Sequence, residues 1–135
     1  MLLALTLALS PLPPSGSAET FACTPTHVWD GDGPIWCAEG PHVRLQGIAA
    51  RELDGSCLPN HPCPPASGIA ARDALVKLVG RPGGVGRYGH ILVEGPTMEC
   101  RRFGQSYNRV VARCVSPIGG DLSEAMIRTG YALRW

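Results

Sequence analysis

The stretch FACTPTHVWDGDGPIWCAEGPHVRLQGI, residues 21–48, contains the pattern that decides the fold. Asp-Gly-Asp-Gly at 30–33 is a strong turn signal, because Asp-Gly favours the positive backbone angles of a tight hairpin. The flanking segments, 21–29 and 34–38, contain strand-forming residues such as Phe, Thr, Val, Ile and Trp. The stretch therefore predicts two strands joined by an aspartate-glycine turn.

A third strand is predicted over residues 42–48, HVRLQGI. In it Val43 and Leu45 alternate with Arg44 and Gln46, which is the period-two pattern of a half-buried strand. Alternation places the Arg44 side chain on the face opposite Val43.

The rest of the chain predicts two helices and two further strands. Ser67 is suited to cap a helix that Gly80 ends, and Asp121 is suited to cap a second helix that Gly130 ends. Between them, in chain order, we expect a flexible connection over 80–89, a strand over 90–101 and an antiparallel return strand over 109–115. This order indicates an α+β domain: a five-stranded OB-fold β-barrel with a helix between strands 3 and 4 and a C-terminal helix.

The composition agrees with one small, turn-rich domain. The chain has 135 residues, of which 17 are Gly and 13 are Pro, and 44% are hydrophobic. So many helix-breaking residues exclude a long helical or coiled-coil protein, and the hydrophobic fraction argues against wholesale disorder.

Residues 1–18 are interpreted as a signal peptide. The apolar run at 2–9 is much shorter than the roughly 20 residues that a membrane-spanning helix needs, and small residues at Gly16 and Ala18 suit a cleavage site. This leaves 19–135 as the mature domain, which we expect to be secreted or periplasmic, monomeric, and without membrane attachment after cleavage. The alternative is an uncleaved apolar tail packed on the domain.

All six cysteines lie in the expected mature domain. An even number of cysteines in an exported chain predicts disulfides, although sequence alone allows many pairings. We expect Cys57–Cys63, which bracket a proline-rich loop, and Cys23–Cys37 and Cys100–Cys114, which each flank a predicted hairpin turn. The competing interpretation is a zinc site at Cys57, His61 and Cys63, for which no second ligand pair has zinc-like spacing.

The net charge of +1 hides an uneven distribution. Residues 19–69 contain two arginines and six acids, whereas residues 70–135 contain ten basic and five acidic side chains. The first half is suited to hold a cation and the second to hold phosphate. A genome that favours arginine codons explains most of the arginines equally well.

Five side chains suit phosphodiester hydrolysis. Asp30 and Asp32 are two residues apart at a strand end, where alternate side chains share a face, so both can meet one hard cation such as Ca²⁺. Glu52 can orient or deprotonate water, and Arg44 and Arg109 can stabilise charge that develops on phosphorus. The alternatives are an Asp-Gly hairpin without metal and a structural ion cluster of the arginines with Glu52.

The motifs of this chain and their order resemble those of the staphylococcal-nuclease-like, or thermonuclease, domains. The resemblance covers most of residues 21–133, and the segments that carry it are VWDGDG at 28–33, VRLQGIAARE at 43–52, YNRVVARCV at 107–115 and DLSEAMIRTGYAL at 121–133. It implies an OB-fold barrel and Ca²⁺-dependent cleavage of DNA and RNA.

Carried over by motif, the resemblance assigns roles to the same residues. Asp30 and Asp32 look like the metal site, Arg44 and Arg109 like the phosphate-binding arginines, and Glu52 like the general base. One departure matters: Ala49 stands where the family typically has a metal-ligating carboxylate, and Ca²⁺ affinity follows the charge of its ligands.

Aromatic residues supply a further candidate. Tyr107, two residues before Arg109, is expected to stack on a nucleobase, whereas Trp29 and Trp36 are expected to pack in the barrel. The four histidines are interpreted as surface or loop residues.

These residues predict an exported, metal-dependent nuclease with DNA or RNA as substrate. The alternatives are a nucleic-acid or polyanion binding module that Ala49 leaves without catalysis, and a structural or interaction domain.

Overall fold

The computed structural model describes Ala4 and residues 19–135. The predicted signal peptide therefore lies outside the described residues, apart from Ala4. The domain is α+β: a curled, mixed β-sheet forms a half-barrel and two helices pack with it, an arrangement compatible with an OB-like fold. Among the described residues, no helix is both long and apolar enough to cross a membrane.

The described chain contains eleven strands and two helices. In order they are β1 Thr20–Cys23, β2 Pro25–Val28, β3 Ile35–Cys37, β4 His42–Leu45, β5 Ile48–Ala49, α1 Gly68–Val79, β6 Arg81–Val85, β7 Ile91–Glu94, β8 Met98–Ser106, β9 Arg109–Ser116, β10 Gly120–Asp121, α2 Leu122–Arg128 and β11 Leu133–Arg134.

The main sheet runs in the order β1-β8-β9-β4-β3-β2-β7-β6, with β10 added beside β9. All pairs are antiparallel except β4 with β9, whose parallel register joins Val43 to Val110 and Arg44 to Val111. Separately, β11 pairs with β5. The parallel contact brings the beginning of β9 beside β4, the strand that carries Arg44.

The core lies between the inner face of the curled sheet and the two helices. Its largest fully buried side chains are Ile35, Leu45, Ile48, Leu75, Met98, Leu122 and Met126. Val28, Ile35 and Val43 are each 0% exposed; for Val43, the alternating pattern of the predicted third strand indicates this burial.

Both helices begin where their capping residues predict. The Ser67 side chain accepts a hydrogen bond from the amide of Ala70 at 3.1 Å, and Gly80 follows the last residue of α1. At α2, the Asp121 carboxylate accepts from the amide of Glu124 at 3.1 Å. A capping oxygen satisfies an amide that has no partner within the helix, which fixes where the helix begins.

Several sequence predictions about the strands are wrong. Residues 21–29 form two strands rather than one, because β1 pairs with β8 while β2 pairs with β3 and β7. Residues 80–89, expected to be a flexible connection, contain β6, which pairs with β7. The described chain has eleven strands where five were expected, and α1 lies between β5 and β6.

The three predicted disulfides are confirmed: Cys23–Cys37, Cys57–Cys63 and Cys100–Cys114. Cys100 and Cys114 are direct cross-strand neighbours in β8 and β9. Both cysteines of the alternative zinc site are oxidised to a disulfide, which removes the thiolates that zinc would need.

Candidate functional site

One cavity of about 320 Å³ brings together all six side chains that the sequence assigns to metal, phosphate, water and base: Asp30, Asp32, Arg44, Glu52, Tyr107 and Arg109. The remaining lining residues are Leu58, His61, Ser106 and Trp135. We call this cavity the acidic-arginine pocket.

Tight packing of the turn after β2 positions the two aspartates. A Cβ atom on Gly31 would lie 2.6 Å from the Cβ of Ala71 in α1 and 2.8 Å from the Cβ of Ala50. Such distances allow only glycine at this position, since real Cβ atoms do not approach so closely. The Gly33 amide donates to the Asp30 carbonyl at 3.1 Å, which closes the turn. The turn is therefore held against the helix, with Asp30 and Asp32 at the pocket.

Asp32 and Arg44 form a buried ion pair at the pocket floor. The Arg44 Nη2 atom lies 3.4 Å from Asp32 Oδ2, and both residues are less than a tenth exposed. The same Asp32 oxygen accepts from the Ala50 amide at 3.1 Å. The Asp32 charge is thus already partly neutralised by the protein.

Backbone carbonyls also hold the Arg44 guanidinium. Its Nη1 atom donates to the carbonyl of Ile48 at 2.7 Å and to the carbonyl of Leu45. These bonds turn the chain between β4 and β5 around the guanidinium. Arg44 consequently serves the fold as well as the pocket. Its carboxylate partner is Asp32, not the Glu52 of the structural ion cluster that was the alternative expectation.

Asp30 and Glu52 are the two pocket carboxyl groups whose pKa is raised. Loss of solvent, a hydrogen bond with Asp32, and the charges of Asp32 and Glu52 raise the pKa of Asp30 to about 10. Loss of solvent, followed by the charge of Asp32, raises the pKa of Glu52, which a hydrogen bond from Asp30 and the charge of Arg109 partly oppose. Three carboxyl groups are therefore crowded together, and one proton is retained among them at neutral pH.

The β8–β9 hairpin places Tyr107 and Arg109. Ser106 and Arg109 pair across the hairpin, so Tyr107 and Asn108 form a two-residue turn. Tyr107 has a φ of 54° and is 91% exposed. Within residues 19–135, Arg109 has no carboxylate within ion-pair distance. Its guanidinium remains available for an anion that enters the pocket.

Sequence reasoning missed two ring-bearing residues of the pocket. The rings of His61 and Trp135 stack with centroids 3.7 Å apart, and the Arg44 guanidinium carbon lies 5.5 Å from the centroid of the Trp135 ring. No local pattern identifies either residue. The only available signal was that His61 lies inside the loop that Cys57 and Cys63 close.

The pocket fits a hard cation only as a site with few protein ligands. Asp30 and Asp32 supply carboxylate oxygens, the donors that Ca²⁺ prefers. Within the described residues, however, no group of three or more His, Cys, Asp or Glu side chains is arranged to hold a metal ion. Ala49 is 1% exposed and pairs with Leu133 of β11. Water or substrate oxygens would have to complete the coordination.

A second set of rings lies on the outer face of the sheet; we call His27, Trp29, Trp36, His42 and His90 the ring cluster. Trp36 stacks on His42 with centroids 4.2 Å apart, and Trp29 stacks on His90 at 4.3 Å. The two tryptophans were expected to pack in the barrel, but they pack against imidazoles instead. His90 lies in the loop between β6 and β7, as its interpretation as a surface or loop histidine allows, but it is only 6% exposed.

Fold and pocket define the class: a small, disulfide-bonded α+β domain with a cavity where Asp30, Asp32 and Glu52 meet Arg44 and Arg109. No protein-family model, no curated protein and no solved structure matches the chain.

Proposed function

We propose that the chain is a metal-dependent nuclease that hydrolyses phosphodiester bonds of DNA or RNA. The single observation that carries the proposal is the convergence of Asp30, Asp32, Arg44, Glu52 and Arg109 on one cavity. These residues come from four separate parts of the chain, and the resemblance to staphylococcal-nuclease-like domains had assigned each of them a role. We accordingly propose an exported, OB-fold member of that family.

Arg109 is the first contact for the phosphate in this proposal. Its guanidinium has no ion partner in the described chain, and it presents parallel N–H donors that match a phosphate group. Arg44 lies deeper, where it retains donors near the phosphate while its other bonds hold the β4–β5 turn. Together the two arginines stabilise the extra negative charge of the transition state.

Glu52 receives the proton of the attacking water. A raised pKa brings a carboxylate nearer to the working pH, which favours general-base catalysis. The water oxygen bonds to phosphorus, its proton passes to Glu52, one ester bond breaks, and the oxygen that leaves takes up a proton from solvent.

Ca²⁺ would be held by Asp30 and Asp32, and Asp30 would release its proton when the cation binds. When bound it supplies positive charge that stabilises the developing oxyanions. A cation held by only two carboxylates, one of them already paired with Arg44, binds weakly, so we expect cleavage to require millimolar Ca²⁺.

The test is cleavage of single-stranded DNA and RNA by the oxidised protein with Ca²⁺ and with excess chelator. We expect cleavage that chelator abolishes, and a loss of about 100-fold in Arg109→Ala. Arg81→Ala is the matched control, because Arg81 is an exposed arginine at the start of β6 outside the pocket. A folded wild-type protein that cleaves neither substrate would overturn the proposal.

A second function is favoured by Ala49. If the missing carboxylate cannot be replaced, the pocket remains a nucleic-acid or polyanion binding site without turnover. In that case the Kd for single-stranded DNA rises with salt concentration, since binding releases counterions from the phosphates, and chelator has no effect on binding. Cleavage that Ca²⁺ stimulates excludes this candidate.

A further inference from the structure

We propose that His61 and Trp135 form a base-stacking subsite at the pocket. The inference rests on the proposed function, because it takes the bound phosphate to lie at Arg44 and Arg109. It assigns a binding role to two residues that the sequence motifs do not include.

The rings of His61 and Trp135 contact each other, yet Trp135 is partly exposed to solvent. The two ring centroids are 3.7 Å apart with an interplanar angle of 28°, while Trp135 remains 55% exposed. Here indole surface remains open beside the cavity, where a flat apolar ligand can cover it.

Two backbone connections hold the rings in place. The Trp135 amide donates to the Gly47 carbonyl at 3.0 Å, directly after the pairing of β11 with β5. His61 lies in the loop closed by the Cys57–Cys63 disulfide, and its amide donates to the Leu58 carbonyl at 3.1 Å. Rings held in this way lose little conformational entropy when a ligand stacks on them.

The position of the rings relative to the arginines suggests a nucleotide. The Arg44 guanidinium carbon lies 5.5 Å from the centroid of the Trp135 ring, so a phosphate at the arginines brings its own base within reach of the indole. Exposed Tyr107, at 91%, offers another ring at the same cavity. Aromatic side chains accept any base face, which gives binding with little sequence preference.

This subsite requires unpaired bases. In a duplex each base is stacked between its neighbours and its faces are not available, whereas a single strand exposes them at small cost. The subsite therefore selects single-stranded DNA or RNA over the duplex of the same sequence.

The binding test uses tryptophan fluorescence and a phosphorothioate single-stranded oligonucleotide, which resists cleavage, in Ca²⁺ buffer. We expect quenching in the wild type, loss of most of it in Trp135→Phe, and retention in Trp36→Phe, the matched control from the ring cluster. Duplex of the same sequence should quench little. Quenching that survives Trp135→Phe, or that duplex produces equally, overturns the subsite.

The kinetic test separates binding from structure. Trp135→Ala and His61→Ala should each raise KM for a single-stranded oligonucleotide about tenfold, with kcat little changed. Both should leave the cleavage of an abasic oligonucleotide unaltered, since it has no base to stack. Equal losses on both substrates would identify a structural role and overturn the subsite; His61→Ala keeps this test available if Trp135→Ala does not fold.

The two tests distinguish failure of the subsite from failure of the nuclease. Quenching through Trp135 without cleavage by the wild type retains the subsite and rejects the nuclease. Cleavage that is insensitive to both substitutions retains the nuclease and rejects the subsite.

Discussion

The acidic-arginine pocket and the ring cluster begin three residues apart, at Asp30 and His27, yet the pKa values of these two residues are shifted in opposite directions. In the pocket, burial and neighbouring carboxylates raise the pKa of Asp30 to about 10. In the ring cluster, burial and then the charges of His90 and His42 lower the pKa of His27. One region holds an acid neutral and the other holds a base neutral.

The difference lies in what surrounds the groups. The crowded acids face arginines and a cavity, so an entering ligand or cation can change their charge balance. The crowded imidazoles face indoles and each other; His27, Trp36 and His42 are direct cross-strand neighbours on three adjacent strands. We conclude that the pocket is suited to ligand chemistry, whereas the ring cluster joins strands of the sheet.

The largest expected effect is on the proposed nuclease activity. Glu52→Gln should lower kcat/KM for single-stranded DNA about 100-fold, because the amide cannot take a proton from water. His42→Gln, which removes an imidazole from the ring cluster, should change kcat/KM less than twofold. Equal losses in the two variants would abolish the distinction between the regions.

Removal of Arg44 should give the largest effect on stability. Arg44→Ala leaves the Asp32 carboxylate buried without its cation and leaves the Ile48 carbonyl without its donor. We expect the free energy of unfolding to fall by about 3 kcal/mol, measured by urea denaturation. Arg113→Ala, in the more exposed cluster with Asp121 and Glu124, should cost less than about 1 kcal/mol.

Loss of the central ring should cost less than loss of the buried arginine. Trp36 stacks on His42 at an interplanar angle of 4° and contacts His27. Trp36→Ala should lower the free energy of unfolding by about 2 kcal/mol without altering kcat. A large drop in kcat at unchanged fold content would show that the ring cluster serves the site.

The smallest expected effect is a change of stability with pH. Because the pKa of His27 is lowered from 6.5 in the folded protein, the unfolded chain binds the proton more readily. The free energy of unfolding contributed by His27 should therefore decrease as pH falls below about 6.5. His27→Gln should reduce this dependence in parallel urea titrations; an unchanged or steeper dependence would contradict the assigned direction.

Local signals in the sequence predicted the helix starts and the disulfides, and the resemblance placed the candidate site residues. Ser67 and Asp121 act on amides three residues away, so short segments contain the necessary information. The site residues were assigned from sequence motifs, without knowledge of which residues contact each other. The structure brings these residues together in one cavity.

The missed features depend on distant partners. RPGGV at 81–85 contains two glycines and a proline and becomes a strand only because β7 provides hydrogen-bond partners. β11 has two residues, and its partner β5 is more than 80 positions earlier in the sequence. The stacking of Trp135 on His61 follows from neither local sequence. No periodic pattern in the segments that contain the ring cluster could show that its imidazoles and indoles contact each other.

The disulfides have a consequence for the order of assembly. Each joins neighbouring cysteines along the chain, with separations of 14, 6 and 14 residues, and short loops are the cheapest to close. A chain that enters an oxidising compartment from its N-terminus can complete each bridge before the next pair emerges. The parallel pairing of β4 with β9 needs residues 110–112, so the first two bridges, whose last cysteine is Cys63, can form while the sheet is still open. We therefore expect oxidative refolding to yield few mispaired species.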